Sequence, residues 1–277
     1  MGVIVPFMFC RVLTLATMIA APLDANPVKS GHSTAEWISS SAAVTPGGTV
    51  DTAVRIRIDD GWHIYWTNPG EGGMKTEFAI TLPPGWKADG PDFPAPGHFL
   101  TGELGSFGYS GTVLFPLKLT APPDFGGNAQ LRMKVSWLAC DAGACVPGEA
   151  EVTLTLAAGE SAATPEAAAI REARKRVPRP APEGLSLGVT EANGELVLTI
   201  TATSPKPPDL TDAAVFPITP QVAATSRVAR LGKSGDAWSA NIGKSEYTTG
   251  PVTELALLVV PAGDAAPFEL AWRANSN

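Results

Sequence analysis

Cysteine and histidine are scarce in this chain, with three of each among 277 residues. There is no Cys-x-x-Cys, no His-Glu-x-x-His and no Gly-x-Ser-x-Gly. Zinc-protease and serine-hydrolase readings therefore have no motif to stand on. The glycine-rich pieces match no phosphate-binding fingerprint. Basic residues are in deficit: 20 Lys and Arg stand against 27 Asp and Glu, a net charge of −7. Nucleic-acid binding usually needs a basic footprint, so this balance argues against it. After residue 25 no apolar run approaches the ~20 residues of a membrane helix. The longest is Leu255-Ala-Leu-Leu-Val-Val260. No internal repeat is evident.

What is present points to an exported all-β protein. Apolar residues make up 44% and charged residues 17%, which fits a globular chain rather than a disordered one. With 28 glycines and 26 prolines, turns should be many and long helices few. Residues 1–25 read as a secretory signal: Arg11 precedes the apolar run Val12–Ala21, with cleavage expected after Ala21 or Ala25. The ten residues before Arg11 are themselves apolar, which a start at Met8 would explain. Removing this segment takes away Cys10, Arg11 and Asp24, and leaves the net charge at −7. The expected location is periplasmic, where disulfides persist.

Residues 26–158 carry the period-two alternation of half-buried strands. Val50, Thr52, Val54, Ile56 and Ile58 alternate with Asp51, Arg55 and Arg57. Leu131, Met133, Val135 and Trp137 alternate with Arg132, Lys134 and Ser136. Phe78–Leu82, Val113–Leu119 and Val152–Leu156 behave alike, and Thr45–Gly48, Asn68–Gly70 and Pro122–Gly127 read as turns. The pattern predicts a β-sandwich. Thr164–Arg176 reads as one helix, capped by Thr164 and with Pro165 at its first position. The stretch Val177–Gly184 is proline-rich and reads as a stiff spacer. The domains expected are thus 26–158, a linker at 159–184, and a smaller β-rich domain at 185–277.

The chemistry centres on Trp137-Leu-Ala-Cys140-Asp-Ala-Gly-Ala-Cys145-Val-Pro147. As a staple, Cys140–Cys145 would close a loop contributing only about 2 kcal/mol in the chain-entropy model. A short disulfide across a bendable turn also suits thiol exchange. A metal reading needs the pair joined by His63 or His98, and thiolates would favour copper(I). No spacing supports that set. In sequence neither cysteine has a Lys, Arg or His beside it, and Asp141 would raise the pKa of Cys140. Activation must come from distant residues or from a partner. Residues alone leave staple, exchange pair and copper handling open. Trp62, Tyr65 and Trp66 read as core aromatics or as an aromatic rim, and His63 as a structural, hydrogen-bonded histidine.

Three segments, in order, resemble the N-terminal periplasmic domain of the DsbD family of thiol:disulfide interchange proteins. They are Gly61-Trp-His-Ile-Tyr-Trp-Thr-Asn-Pro-Gly70, Phe107-Gly-Tyr-Ser-Gly111 with Val113-Leu-Phe-Pro-Leu117, and Val135–Cys140 with Cys145-Val-Pro147. The match runs over about residues 35–157. The resemblance implies an immunoglobulin-like sandwich with a redox-active pair at Cys140 and Cys145. Cys145 would exchange with partners and Cys140 would resolve. It implies a shielding aromatic within His98–Leu104, best placed at Phe99. Tyr109, Trp62 and Tyr65 are the further candidates for cap or partner contact. The implied partners are a thioredoxin-like electron donor and periplasmic disulfide-containing proteins, with the membrane electron carrier on a separate chain and no cofactor. The family's membrane and thioredoxin-like domains have no counterpart in the sequence. The expected activity is that of a protein-disulfide reductase component. The alternatives are a non-enzymatic binding or assembly module with a structural disulfide, or a copper-handling envelope protein.

Overall fold

A computed structural model describes residues 26–101 and 103–274; the expected signal segment, with Cys10, lies outside them. Among the described residues the chain is nearly all β, arranged as two immunoglobulin-like sandwiches with one short helix between them in sequence. In the first sandwich, Thr49–Ile58 is the central strand of a five-stranded sheet. It pairs antiparallel with Ser33–Ser39 on one side and Thr112–Thr120 on the other. The facing sheet is built on the hairpin of Asn128–Cys140 and Cys145–Ala158. Val54, Ile56, Phe115, Leu117, Leu131, Met133 and Val135 are fully buried between the layers. These are the apolar members of the alternating runs, and each such side chain contributes about 1.5–3 kcal/mol on burial.

A third, three-stranded sheet packs onto the same core through Ile64, Phe107 and Tyr109. It comprises Ile64–Gly70, Leu104–Tyr109 and Gly97–Thr101. Asn68-Pro-Gly70, expected as a turn, instead lies within the first of these strands, next to a register shift. Asn68 explains the difference. Its side-chain oxygen accepts from Gly70 N at 3.1 Å, while its amide donates to Pro217 O at 2.8 Å. The turn-forming side chain therefore fastens the strand end to the second sandwich.

The helix covers Ala167–Lys175 and lies on the first sandwich. Ile170 is buried against Ile38, Ala53 and Leu114. Arg55 reaches Glu166 at 2.7 Å, and Arg174 reaches Asp51 at 3.1 Å. Thr164 does not cap: Glu166 occupies that position, and the Thr164 hydroxyl donates to Ser39 O. The proline-rich stretch is likewise engaged, because Arg179–Pro180 pairs parallel with Phe268–Glu269 at a sheet edge. An edge suits proline, which has no N–H to donate to a further strand.

The second sandwich has its own core, including Leu196, Leu198, Ile200, Trp238, Leu257 and Val259. Leu196, Leu198 and Ile200 lie on Glu195–Ala202, the alternating run seen in the sequence. The two sandwiches meet through apolar packing: Phe216 and Leu258 join the core of the first. Phe216 lies edge-on to Phe107, with ring centroids 5.3 Å apart.

Candidate redox site

The long hairpin ends where Cys140 faces Cys145, with Asp141-Ala-Gly-Ala144 as its loop. The two sulfurs are bonded, with the Cα atoms 4.1 Å apart. Cys140 gives its N–H to His63 O and accepts His63 N–H, both at 2.9 Å. Its backbone hydrogen bonds are thus directed toward His63. That leaves Cys140 and Cys145 in the closer, non-hydrogen-bonded type of antiparallel pair, which suits a bridge. The cysteines differ in access: Cys140 is fully buried and Cys145 is exposed.

Asp141 organises the loop. Its carboxylate accepts from Gly143 N at 2.8 Å and Ala144 N at 2.7 Å. These N–H groups hold Asp141 below the usual carboxylate range. The residue is therefore anionic at neutral pH, beside Cys140 in sequence. It disfavours a Cys140 thiolate.

His63 is 5% exposed. Phe99 stacks on it, with centroids 4.6 Å apart and planes 5° from parallel. Tyr65 meets it edge-on at 5.1 Å. Burial holds the imidazole below the ordinary histidine range, and the Asp141 charge offsets part of this. Its Nε2 is buried without a hydrogen-bond partner, in contrast to the hydrogen-bonded role expected from sequence. Tyr65 is itself buried, and a Cβ on Gly73 would lie 2.2 Å from its ring. That glycine, at φ +103°, lets the chain pass directly over the phenol ring.

The structure thus brings Tyr65 and Phe99 together around His63, behind the buried cysteine. Trp62 is half-buried and stacks on His32 at 3.7 Å. His32 in turn lies 3.5 Å from Asp59. Tyr109 sits deeper: it is 6% exposed, donates to Pro94 O at 2.7 Å and packs edge-on against Phe115. His98 points elsewhere, its Nε2 lying 2.8 Å from Thr225 O. The pairing of His63 with Cys140 was not legible in the sequence. The Gly61-Trp-His segment offered a signal only as part of the family-like pattern.

Comparison with known proteins places this geometry. No curated protein gave a match. The N-terminal periplasmic domain of ScsB from Proteus mirabilis shares the fold, with a TM-score of 0.65 at 19% identity. The overlap covers 89% of this chain and 94% of that one. The YadV chaperone aligns over 86% of this chain and 100% of its own, at 9% identity and a TM-score of only 0.22. Residues 34–157 match the family model of the thiol:disulfide interchange protein DsbD, N-terminal. The matched segment contains all of the hairpin but its last residue, together with its disulfide and the His63–Phe99 stack. Over residues 34–157 the chain is thus consistent with a DsbD N-terminal domain, and the match supports a thiol-disulfide exchange domain with its cysteine pair at the tip of the long hairpin.

Proposed function

We propose that the protein passes reducing equivalents from a thioredoxin-like donor to disulfides of periplasmic proteins through Cys140 and Cys145. The observation that carries this reading is the unequal access of the two sulfurs: Cys145 is exposed and Cys140 is fully buried. An incoming disulfide meets Cys145 first. The Cys145 thiolate attacks one partner sulfur, the other partner sulfur leaves as a thiolate, and a mixed disulfide forms. Cys140 then attacks Cys145 Sγ, the partner's second sulfur leaves, and the internal disulfide is restored. The partner gains two electrons and two protons, and the domain returns to the state seen here. Regeneration runs the same exchange in reverse with a dithiol donor. The second sandwich, fastened through Phe216 and Asn68, holds the three-stranded sheet beside the site.

The test is trapping and poise. With Cys140→Ala, a mixed disulfide through Cys145 should accumulate with a thioredoxin-like protein and collapse on adding reductant. Equilibration with glutathione should place the pair above the roughly −300 mV typical of structural disulfides. A lower potential with no trapped complex would mark the bond as a staple.

A further inference from the structure

We infer that His63 is the proton acceptor for Cys140 in the resolving half of the exchange. This rests on the reading that Cys140 resolves. His63 and Cys140 exchange both hydrogen bonds and so stand directly opposite one another. Directly opposed residues of an antiparallel pair project their side chains from the same face, with Cα atoms about 5.5 Å apart. Cys145 stands opposite Cys140 from the other side. The three residues therefore form one row across three strand segments: His63, Cys140, Cys145.

The second observation is the imidazole's missing partner. A buried polar nitrogen without a hydrogen bond carries a desolvation penalty, and native proteins rarely leave one so. His63 Nε2 has none in the disulfide state. Reduction adds a hydrogen to Cys140, the residue opposite it. A thiol there can donate to Nε2, so the partner appears only in the reduced state. The aromatic walls of Phe99 and Tyr65 fix the ring and limit its exchange with water.

The proton path then closes. Cys140 begins the resolving step as a thiol, because burial and the adjacent Asp141 both oppose its thiolate. His63 takes its proton as Cys140 Sγ attacks Cys145 Sγ. The partner sulfur leaves with the electron pair of the broken bond. The imidazolium returns its proton to that thiolate or to water. The groups around His63 are Cys140, paired opposite it through the backbone, the Asp141 carboxylate from the loop and the Tyr65 phenol two residues further along the chain; the remaining wall, Phe99, is uncharged. Burial keeps the imidazole neutral near pH 7, the form that can accept. Asp141 offers a charge that steadies the imidazolium once formed.

The experiment uses the reduced chain and dithiobis(nitrobenzoate), an aromatic disulfide whose thiolate is coloured. Attack by Cys145 releases one thiolate, and resolution by Cys140 releases a second. Stopped-flow absorbance separates the two. In His63→Gln the first release should stay within about twofold of wild type. The second should slow at least tenfold near pH 7, a conservative share of the 10²–10⁴ that general bases typically contribute. The gap should close toward pH 10, where the thiol ionises unaided. His63→Phe keeps a flat ring against Phe99 and should behave as His63→Gln does, so a folding defect in one variant leaves the other to decide. A second release that overlays wild type in either folded variant would overturn the role. So would slowing by the same factor at every pH. Absence of a second release in wild type, or its persistence in Cys140→Ala, would overturn the exchange reading and the inference with it.

Discussion

Phe99 lies flat on His63, and His63 is bonded through its backbone to the buried cysteine of the pair. Phe99 is half-buried, while Leu100 beside it is 58% exposed. The ring therefore covers one face of the site from a strand whose outer edge meets solvent. An aromatic stack of this kind contributes about 0.5–1.5 kcal/mol beyond its buried area.

Removing that cover should make the disulfide easier to reach. In Phe99→Ala, reduction by glutathione is expected to run several-fold faster than in wild type, followed by alkylation of the freed thiols. The equilibrium potential should change far less than the rate, because the bonded atoms are untouched. An unchanged rate would mean that the ring does not screen the pair.

The buried histidine also sets a pH dependence of stability. Unfolded, this residue takes up a proton near pH 6.5. Folded, it resists protonation until lower pH, because burial depresses its pKa. Below about pH 6.5 the unfolded chain thus binds more protons at this position, and stability falls as pH falls. His63→Phe should flatten this slope between about pH 7 and pH 5.5, measured as urea midpoints. Asp141, also held low, acts in a separate window below its ordinary value of 3.8. A slope unchanged in the variant would place the effect on other groups.

The helix is a fastening of the first sandwich. Ile170 is 1% exposed against Ile38, Ala53 and Leu114. Ile170→Ala should destabilise the protein by about 2–5 kcal/mol, the usual cost of such a truncation, read from urea unfolding. The glutathione potential of the pair should remain at the wild-type value, because the helix does not border the hairpin tip. A cost below about 1 kcal/mol would show that the helix is dispensable to the sheet.

Gly105 marks a close backbone approach between the sandwiches. A Cβ there would sit 1.8 Å from Thr225 O. The Thr225 hydroxyl donates to Gly105 O at 2.6 Å, and the Glu71 carboxylate accepts from both Gly105 N and Thr225 N. Gly105→Ala must push these backbones apart. Amide exchange at residues 104–106 and 223–225 should speed up, with the core strand Thr49–Ile58 unaffected. Unchanged exchange at both segments would mean that the contact relaxes at no cost.

Much of the fold could be read locally. Alternation along Val50–Ile58 and Leu131–Trp137 marks one face for burial, and both runs are strands with those faces inward. Period-two patterns work because a strand turns each successive side chain to the opposite face. Local signals misled where a side chain found a distant partner. Thr164 bonds Ser39 rather than capping its helix, and Asn68 bonds Pro217 while still holding Gly70. The proline-rich stretch became a sheet edge because Phe268–Glu269 lay beside it.

By itself the sequence determined which faces are apolar, where turns can form, and that two cysteines stand five positions apart on either side of a flexible loop. Those depend on residue type and spacing along the chain. The tertiary structure decided which cysteine is buried and which is exposed, and that His63 stands opposite Cys140 under Phe99. Burial and cross-strand partnership arise from register between segments far apart in sequence. Local periodicity fixes which face of a strand is buried, but which distant segment lies opposite it is decided by the packing of the whole sandwich.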